Sequence, residues 1–291
     1  MKPENKILAC VDQSHYADHV ADYAAWVATR MELPLEFLHI LDRHPERSRH
    51  NTDHSGAIGF DAQQVLLEAL SQEDAALSKQ AREQGRVFLN RLRERAIAAG
   101  VKAPDVRQRH GELAETLEEQ EDGVRMFILG RRGQAAETSQ GDQHDLGRNV
   151  ERVIRSLHRP ILTITDTFKA PEQIMIAFDG GSMSRKGVEL IAACPLFVGL
   201  PIHVITSGEV GKGLRQHLEW AKATLETAGF ATHTALLAGE PESVIATQVK
   251  ERNIDMLIMG AYTHSPWRSL LLGSKTNELL RAAKIPTLLL R

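Results

Sequence analysis

The chain has 291 residues, of which 42% are hydrophobic and 25% are charged, and its formal net charge is −3. This is the composition of an ordinary globular protein, and at about 150 residues per domain the length predicts two domains. Collagen-like, disordered and disulfide-rich classes are excluded. The charge also lacks the basic excess of a dedicated nucleic-acid-binding protein.

The cysteines and the amino terminus indicate the cellular compartment. Cys10 and Cys194 each lie in apolar sequence, which predicts two buried thiols and neither a disulfide nor a metal site. The amino terminus lacks the apolar run of a signal peptide, and no later segment is long and apolar enough to span a membrane. We therefore expect a soluble cytoplasmic protein with no membrane partner.

The sequence contains an internal repeat. The run from Lys6 to Ser14 matches that from Gln173 to Gly181, and each contains an aspartate followed by small polar residues. Further segments match in the same order, including those that end at Gly130 and Gly260. A short polar segment broken by Pro171 separates the copies. We predict domain 1 over residues 1–166 and domain 2 over residues 172–291.

Each copy alternates short apolar runs with helical patterns. The predicted order is strand and helix in turn, beginning and ending on a strand. That order predicts an α/β fold with a parallel sheet and right-handed crossovers. Ser14 and Ser184 are predicted to cap the first helix of their copies.

The first copy is longer than the second between its second and third strands. The additional sequence starts with a polar, His-rich segment, residues 42–56, and continues into a predicted helix from about Ala62 to Ala99. We expect a solvated loop and helix, with a lid or a partner surface as the alternative.

Ligands of open parallel sheets bind beyond the carboxyl ends of the strands, so the residues that follow each apolar run are the candidates for a site. In the second copy these are Asp179, Ser207 and Gly260 and, ahead of the last helix, Gly273, Ser274 and Thr276. A helix that begins with small hydroxyl residues and free N–H groups suits a phosphate chain. The loop is not a Walker A motif, because its glycine and lysine spacing is absent.

The strand-terminal aspartate, the Gly-x2-Gly-x9-Gly-Ser/Thr loop and the closing Pro-x-Leu-Leu-Leu strand resemble the universal stress protein family, and the resemblance covers nearly the whole chain twice. It implies two tandem five-stranded parallel domains, adenine nucleotide alpha hydrolase-like, related by a pseudo-twofold axis. One branch of the family binds ATP through this loop, and another lacks the motif and does not. In domain 2 the resemblance implies that Asp179 lies at the adenosine end and that backbone near Ser207 faces the base.

The loop of domain 2 matches the family pattern with one departure. Gly260 is present, Thr263 replaces the second glycine, and nine residues then lead to Gly273 and Ser274, with Thr276 two positions further on. If the family backbone needs a positive φ at position 263, threonine there costs on the order of 1 kcal/mol or rearranges the loop. Its hydroxyl could instead contact a phosphate.

Domain 1 is the weaker candidate. It keeps Asp12, Gly130 and Gly133, but thirteen residues separate Gly133 from Gly147, and no Gly-Ser pair follows. Acidic residues in this loop would repel a triphosphate unless a cation intervened, and arginines including Arg131 would partly offset them.

The last strands, residues 161–165 and 287–290, are apolar, and pairing them across the axis would remove two aggregation-prone edges. With that pairing inside one chain, the protein could be a monomer or a homodimer.

We expect a stress-response regulator that binds ATP, with or without Mg²⁺, or another adenine nucleotide in domain 2. The alternatives are a nucleotide-independent protein-interaction scaffold and a slow ATP hydrolase. No acid–base pair is evident, so we expect a binding protein without catalytic residues. The histidine pairs His15/His19 and His50/His54 lack a third ligand, so we predict no metal site.

Overall fold

A computed structural model describes residues 5–41, 60–133, 147–165, 167–208, 212–260, 279–280 and 283–290, without the side chains of residues 60–75, 148 and 212. The described strands are β1 (Lys6–Cys10), β2 (Leu35–Leu41), β3 (Asp105–His110), β4 (Val124–Gly130), β5 (Ile161–Ile164), β6 (Ile174–Ala177), β7 (Ile202–Ser207), β8 (Thr232–Leu237), β9 (Met256–Gly260) and β10 (Thr287–Leu290). The described helices are α1 (Ala17–Met31), α2 (Phe60–Ala98), α3 (Leu113–Glu118), α4 (Arg148–Ser156), α5 (Ser182–Ala192), α6 (Lys212–Thr227) and α7 (Pro241–Glu251). Leu279, Leu280 and Ala283 are also helical, and short 3-10 turns span Glu121–Gly123 and Pro195–Phe197.

All described strands belong to one ten-stranded sheet in the order β3-β2-β1-β4-β5-β10-β9-β6-β7-β8. Neighbouring strands are parallel except for β5 and β10, which pair antiparallel with Thr163 opposite Thr287 and Leu162 opposite Leu288. The Thr163 hydroxyl donates to the Thr287 carbonyl oxygen at 3.2 Å across this seam. The sheet is therefore two five-stranded parallel halves joined edge to edge. The predicted α/β class and the pairing of the fifth strands are confirmed.

Each face of the sheet carries one hydrophobic core, and both cores contain residues of the two domains. Strand residues alternate between the faces, so Ile7 and Ala9 pack in the core of α1 and α2, while Leu8 packs in the core of α3 and α4. In each half the first strand lies between the second and the fourth. The strand order therefore reverses beside the first strand. Open α/β sheets bind ligands at such a switch point.

Helix α2 is the main difference between the two halves. It has 39 residues, or about 58 Å at 1.5 Å per residue, whereas α6, which holds the same position in the second half, has 16. Leu89, Leu92 and Ala96 near its carboxyl end are buried, whereas the side chains of residues 76–84 are exposed apart from a half-buried Ala81. The helix was predicted within two residues of its ends. The His-rich segment 42–56 lies outside the described residues.

The predicted serine caps are wrong. Helix α1 begins at Ala17 with Tyr16 at the N-cap, and no side chain caps it. Helix α5 begins at Ser182, so that Ser184 lies inside its first turn. In both domains the aspartate at the strand end accepts the local donors, because an Asx-type turn competes with a serine cap.

The segment between the domains is fixed at both ends. The Tyr23 hydroxyl of α1 donates to the Lys169 carbonyl oxygen at 3.1 Å. On the other side, Asp255 accepts hydrogen bonds from the backbone N–H groups of Glu172 at 2.9 Å and Gln173 at 3.0 Å. The domain limits stay a prediction. None of the described helices has the length and apolar character that crossing a bilayer requires.

Candidate functional site

The carboxyl ends of β6, β7 and β9 form the candidate site of domain 2. Ala177 pairs with Ile205, and Ile176 pairs with Ile258. Two residues further along β6 and β7, Asp179 lies beside Ser207. Two residues further along β6 and β9, Phe178 lies beside Gly260. Three predicted site residues, Asp179, Ser207 and Gly260, therefore share one edge of the sheet. The other four, Thr263, Gly273, Ser274 and Thr276, lie outside the described residues.

Asp179 is held in a tight turn. Its Oδ1 accepts the Gly181 N–H at 2.8 Å and the Ser184 hydroxyl at 2.6 Å. Gly180, which lies between Asp179 and Gly181, has a φ of +75°, and a Cβ there would lie 2.7 Å from Nδ1 of His217. Glycine is needed at position 180 both for its backbone conformation and because α6 approaches so closely. The turn thus fixes the carboxylate at the rim of the sheet.

A buried hydroxyl without a partner lies next to this rim. Thr206, the penultimate residue of β7, is 1% exposed, and its Oγ1 has no hydrogen-bond partner in the described part of the chain. Leaving such a group unsatisfied costs about 1–3 kcal/mol. Threonine is common in strands, so the sequence alone does not separate this residue from its neighbours in β7. Its burial distinguishes it.

Domain 1 has the same turn, and the described residues at the two ends of its loop contact other residues of domain 1. Asp12 Oδ1 accepts the Ser14 N–H at 3.1 Å, as Asp179 accepts that of Gly181. A Cβ at Gly133 would lie 2.5 Å from Asp12 Oδ2, and one at Gly130 would lie 3.0 Å from Tyr16 Cβ. The N–H of Gly147 donates to the Arg131 carbonyl oxygen at 2.9 Å. The predicted residues of domain 1 come together, and they contact one another closely.

The side chain of Arg131 reaches into domain 2. It is 1% exposed and donates to the carbonyl oxygens of Leu280 and Ile285. Strand β4 is the neighbour of the seam strand β5, so an arginine at the carboxyl end of β4 can reach across β5 into domain 2. Those acceptors are remote from Arg131 in sequence, so no local sequence pattern predicts the contact. The acidic residues that Arg131 was expected to offset lie outside the described residues, so that expectation stays a prediction.

A groove of about 550 Å³ opens beside the Asp12 turn, between Gln13 and Ser14 on one side and Gln84, Val87 and Phe88 of α2 on the other. The Ser14 hydroxyl is buried there with no hydrogen-bond partner in the described ranges. All the residues that line the groove belong to domain 1. It does not coincide with the site that the loop motif predicts in domain 2.

The described residues offer no activated nucleophile at these turns. Cys10 lies two residues before Asp12, and burial, reinforced by Asp12 and Glu36, raises the pKa of its thiol. A thiol so shifted stays protonated and unreactive at neutral pH. Among the described residues, no group of three or more His, Cys, Asp or Glu side chains could hold a metal ion.

The fold and the paired strand-end turns are those of a tandem α/β protein, and comparisons with known proteins agree. The model of the Universal stress protein family matches residues 4–165 and again residues 171–291, so the chain belongs to that family. It is 31% identical over 287 residues to Universal stress protein Slr1230 of Synechocystis sp., covering 98% of this chain and 99% of the relative.

Two solved structures show the same tandem architecture along nearly the whole chain. A universal stress protein from Archaeoglobus fulgidus superposes with a TM-score of 0.73 at 17% identity, covering 99% of this chain and 98% of that one. A structure described as a universal stress protein of Pseudomonas aeruginosa superposes with a TM-score of 0.62 at 15% identity, covering 99% and 94%. At these identities the likeness concerns the fold.

Proposed function

We propose that the protein is a stress-response regulator that binds an adenine nucleotide, ATP in the first instance, in domain 2. The observation that carries this proposal is the convergence of Asp179, Ser207 and Gly260 at one sheet edge, next to the unpartnered hydroxyl of Thr206. Membership in a family with an ATP-binding branch supports it, since the loop motif of that branch is kept in domain 2 apart from Thr263.

In this proposal each part of the site has a separate role. Asp179 accepts hydrogen bonds from the adenosine, and its turn is already rigid, which reduces the entropy lost on binding. Backbone near Ser207 faces the base, and Gly260 lets the chain turn away from β9. The phosphates bind at the start of the last helix, where Gly273 and Ser274 supply N–H and hydroxyl donors.

We propose one nucleotide per chain. At the described ends of the domain 1 loop, the Gly147 N–H is bonded to the Arg131 carbonyl oxygen and the Asp12 carboxylate lies against Gly133. A ligand there would have to break these contacts before it could form its own.

Isothermal titration of the nucleotide-free protein with ATP, with and without Mg²⁺, tests the proposal. We expect one site per chain, abolished by Gly273→Val and weakened by Ser274→Ala. Gly123→Val is the matched control, because Gly123 lies in domain 1 and has open space where a Cβ would stand. Absence of binding, or an equal loss in the control, would contradict the proposal.

A second candidate function, a nucleotide-independent interaction scaffold, is favoured by α2. Its residues 76–84 are mostly exposed, and Leu77 and Val87 are 40% and 58% exposed. Isolated helices gain little stability without packing, so a partner for this segment would stabilise it. Under this function ATP leaves the thermal stability unchanged, whereas Leu77→Asp with Val87→Asp weakens association with the partner.

Slow ATP hydrolysis is the third possibility considered. If domain 2 turned ATP over, Asp179→Asn should abolish turnover in the presence of Mg²⁺ and spare binding. The described residues show no general base paired with a nucleophile, so we propose binding without turnover.

A further inference from the structure

A groove in domain 1 separates helix α2 from the turn that follows β1. Its volume is about 550 Å³, which lies within the range of small-molecule sites. Gln13 and Ser14 line it from the turn, and Gln84, Val87 and Phe88 line it from the helix. Its walls therefore combine amide and hydroxyl groups with an apolar surface.

The corresponding place in domain 2 is closed. Helix α6 follows β7 there as α2 follows β2 in domain 1, and Gly180 takes the place of Gln13 in the aligned repeat. A Cβ on Gly180 would lie 2.7 Å from Nδ1 of His217 and 3.2 Å from Cδ1 of Leu214, so α6 packs directly on the turn. In domain 1 the groove separates α2 from the turn. The groove is thus a feature of this domain and not of the shared fold.

The hydroxyl of Ser14 is a buried polar group on the wall of this groove. Ser14 is 7% exposed, and its Oγ forms no hydrogen bond within the ranges that the structure describes. Its N–H donates to Asp12 Oδ1 at 3.1 Å, so the turn fixes the main chain that carries the hydroxyl. Buried hydroxyl groups are normally hydrogen-bonded. A ligand in the groove would supply the missing partner.

Two more buried polar atoms lie under the same stretch of α2. The His39 ring lies 5.4 Å from the Phe88 ring, and its Nδ1 lies 2.9 Å from the Val11 carbonyl oxygen, so Nδ1 carries the proton and Nε2 is an acceptor. Neither this Nε2 nor Nε2 of Gln108 has a partner in the described part of the chain. A Cβ on Gly85 would lie 2.1 Å from Gln108 Nε2, so glycine lets α2 cover these groups. The polar surroundings disfavour a hydrocarbon ligand.

The two charged side chains that line the groove, Glu83 and Arg91, are already paired. Glu83 accepts two hydrogen bonds from the Arg86 guanidinium, at 2.9 and 2.6 Å. Nη1 of Arg91 donates to Asp18 Oδ2 at 3.1 Å. An ionic ligand would find no unpaired counter-charge among these residues, and moving a charge out of water without a partner is unfavourable. The groove is therefore suited to an uncharged ligand.

We propose that this groove binds an uncharged planar ligand that carries an amide, such as an aromatic carboxamide. The amide of the ligand bonds to Ser14 and to the glutamine side chains, since hydroxyl and amide groups both donate and accept. The ring of the ligand packs against Val87 and Phe88. Phe88 packs in the core of α1 and α2, whereas α4 packs in the core of the opposite face. The groove therefore lies on the other face of the sheet from α4, and binding there does not depend on the proposed nucleotide site.

Benzamide is the probe, because it joins a ring and an amide in one small molecule. Titration of the nucleotide-free full chain, followed by NMR of the ligand, should show saturable binding of one benzamide per chain. Benzoate has the same shape but a negative charge, and it should bind roughly tenfold more weakly. A response to benzamide that does not saturate, or equal affinity for benzoate, would overturn the proposal. Displacement of benzamide by ATP would do the same.

Two tryptophan variants of α2 locate the site. Val87→Trp fills the groove from a side chain that is 58% exposed, so we expect it to abolish benzamide binding without unfolding the protein. Ile97→Trp is the matched control, because Ile97 is 40% exposed on the same helix and does not line the groove. Unchanged binding in Val87→Trp, or an equal loss in both variants, would overturn the proposal.

A third variant tests the Ser14 hydroxyl. Ser14→Ala removes one neutral hydrogen bond to the ligand and should weaken benzamide binding roughly fivefold. The same change should raise the Tm of the free protein, because it removes a buried hydroxyl that the folded chain leaves unsatisfied. A lower Tm, or an unchanged affinity, would overturn the role of the hydroxyl and the proposal with it.

Discussion

Replacing Asp255 by alanine should destabilise the protein by detaching the segment that joins the domains. Asp255 is 9% exposed and accepts two backbone N–H groups, at 2.9 and 3.0 Å. Hydrogen bonds to a charged group contribute about 1.5–3 kcal/mol each. We take the lower end, because Glu172 is exposed and water can replace one acceptor. The expected loss is therefore about 3 kcal/mol, or roughly 6–12 °C in Tm by the usual scaling for large domains.

Thermal unfolding followed by circular dichroism measures this loss, and Lys169 supplies the control. Its Nζ lies 2.5 Å from Asp255 Oδ1, but its side chain is 60% exposed, so Lys169→Met should cost under about 1 kcal/mol. Asp255→Asn keeps an acceptor without the charge and should fall between the two. Equal losses for Asp255→Ala and Lys169→Met would refute the reasoning, because the exposed ion pair would then be the main contribution.

Three further predictions concern the seam, the acid stability and the domain 2 turn. Leu162→Ala at the fully buried seam should cost about 2–5 kcal/mol in urea unfolding, since it leaves a cavity between the domains. Burial, reinforced by Arg252 and His233, lowers the pKa of His203. Because the unfolded chain then binds more protons, stability should fall as the pH drops below about 6.5, and His203→Gln should make this fall shallower. Gly180→Ala should destabilise by about 1–2 kcal/mol, because φ is positive there.

Each of these predictions has its own check. A loss of unfolding free energy below about 1 kcal/mol in Leu162→Ala would contradict the first prediction, because the neighbouring side chains would then close the cavity. An acid slope in His203→Gln that equals the wild-type slope would remove the role of His203. Gly213→Ala lies in the first turn of α6 with open space around it, and it should be neutral. An equal loss at Gly180 and Gly213 would contradict the turn argument.

Most of the fold could be predicted because its signals are local or repeated. Apolar runs alternating with helical patterns predict the parallel sheet, and the repeat predicts two halves. The helix caps could not be predicted, because the serines act as donors to the aspartates: the Ser14 N–H donates to Asp12 and the Ser184 hydroxyl donates to Asp179. These contacts depend on how the strand ends present the aspartates.

The site was predictable only in part. The strand-end positions Asp179, Ser207 and Gly260 follow from the rule that ligands bind beyond parallel strands. The burial of Thr206 and the reach of Arg131 into the other domain depend on contacts between segments distant in sequence. A threonine in a strand and an arginine in a loop have the same pattern whether they are exposed or buried.

The central claim is that domain 2 binds an adenine nucleotide. Thermal unfolding of nucleotide-free protein, with and without millimolar ATP and Mg²⁺, tests it most directly, because a ligand at 100 times its Kd stabilises the native state by about 2.7 kcal/mol. We predict a rise in Tm that Gly273→Val abolishes and Gly123→Val retains. An unchanged Tm in the folded, nucleotide-free wild-type protein would contradict the claim.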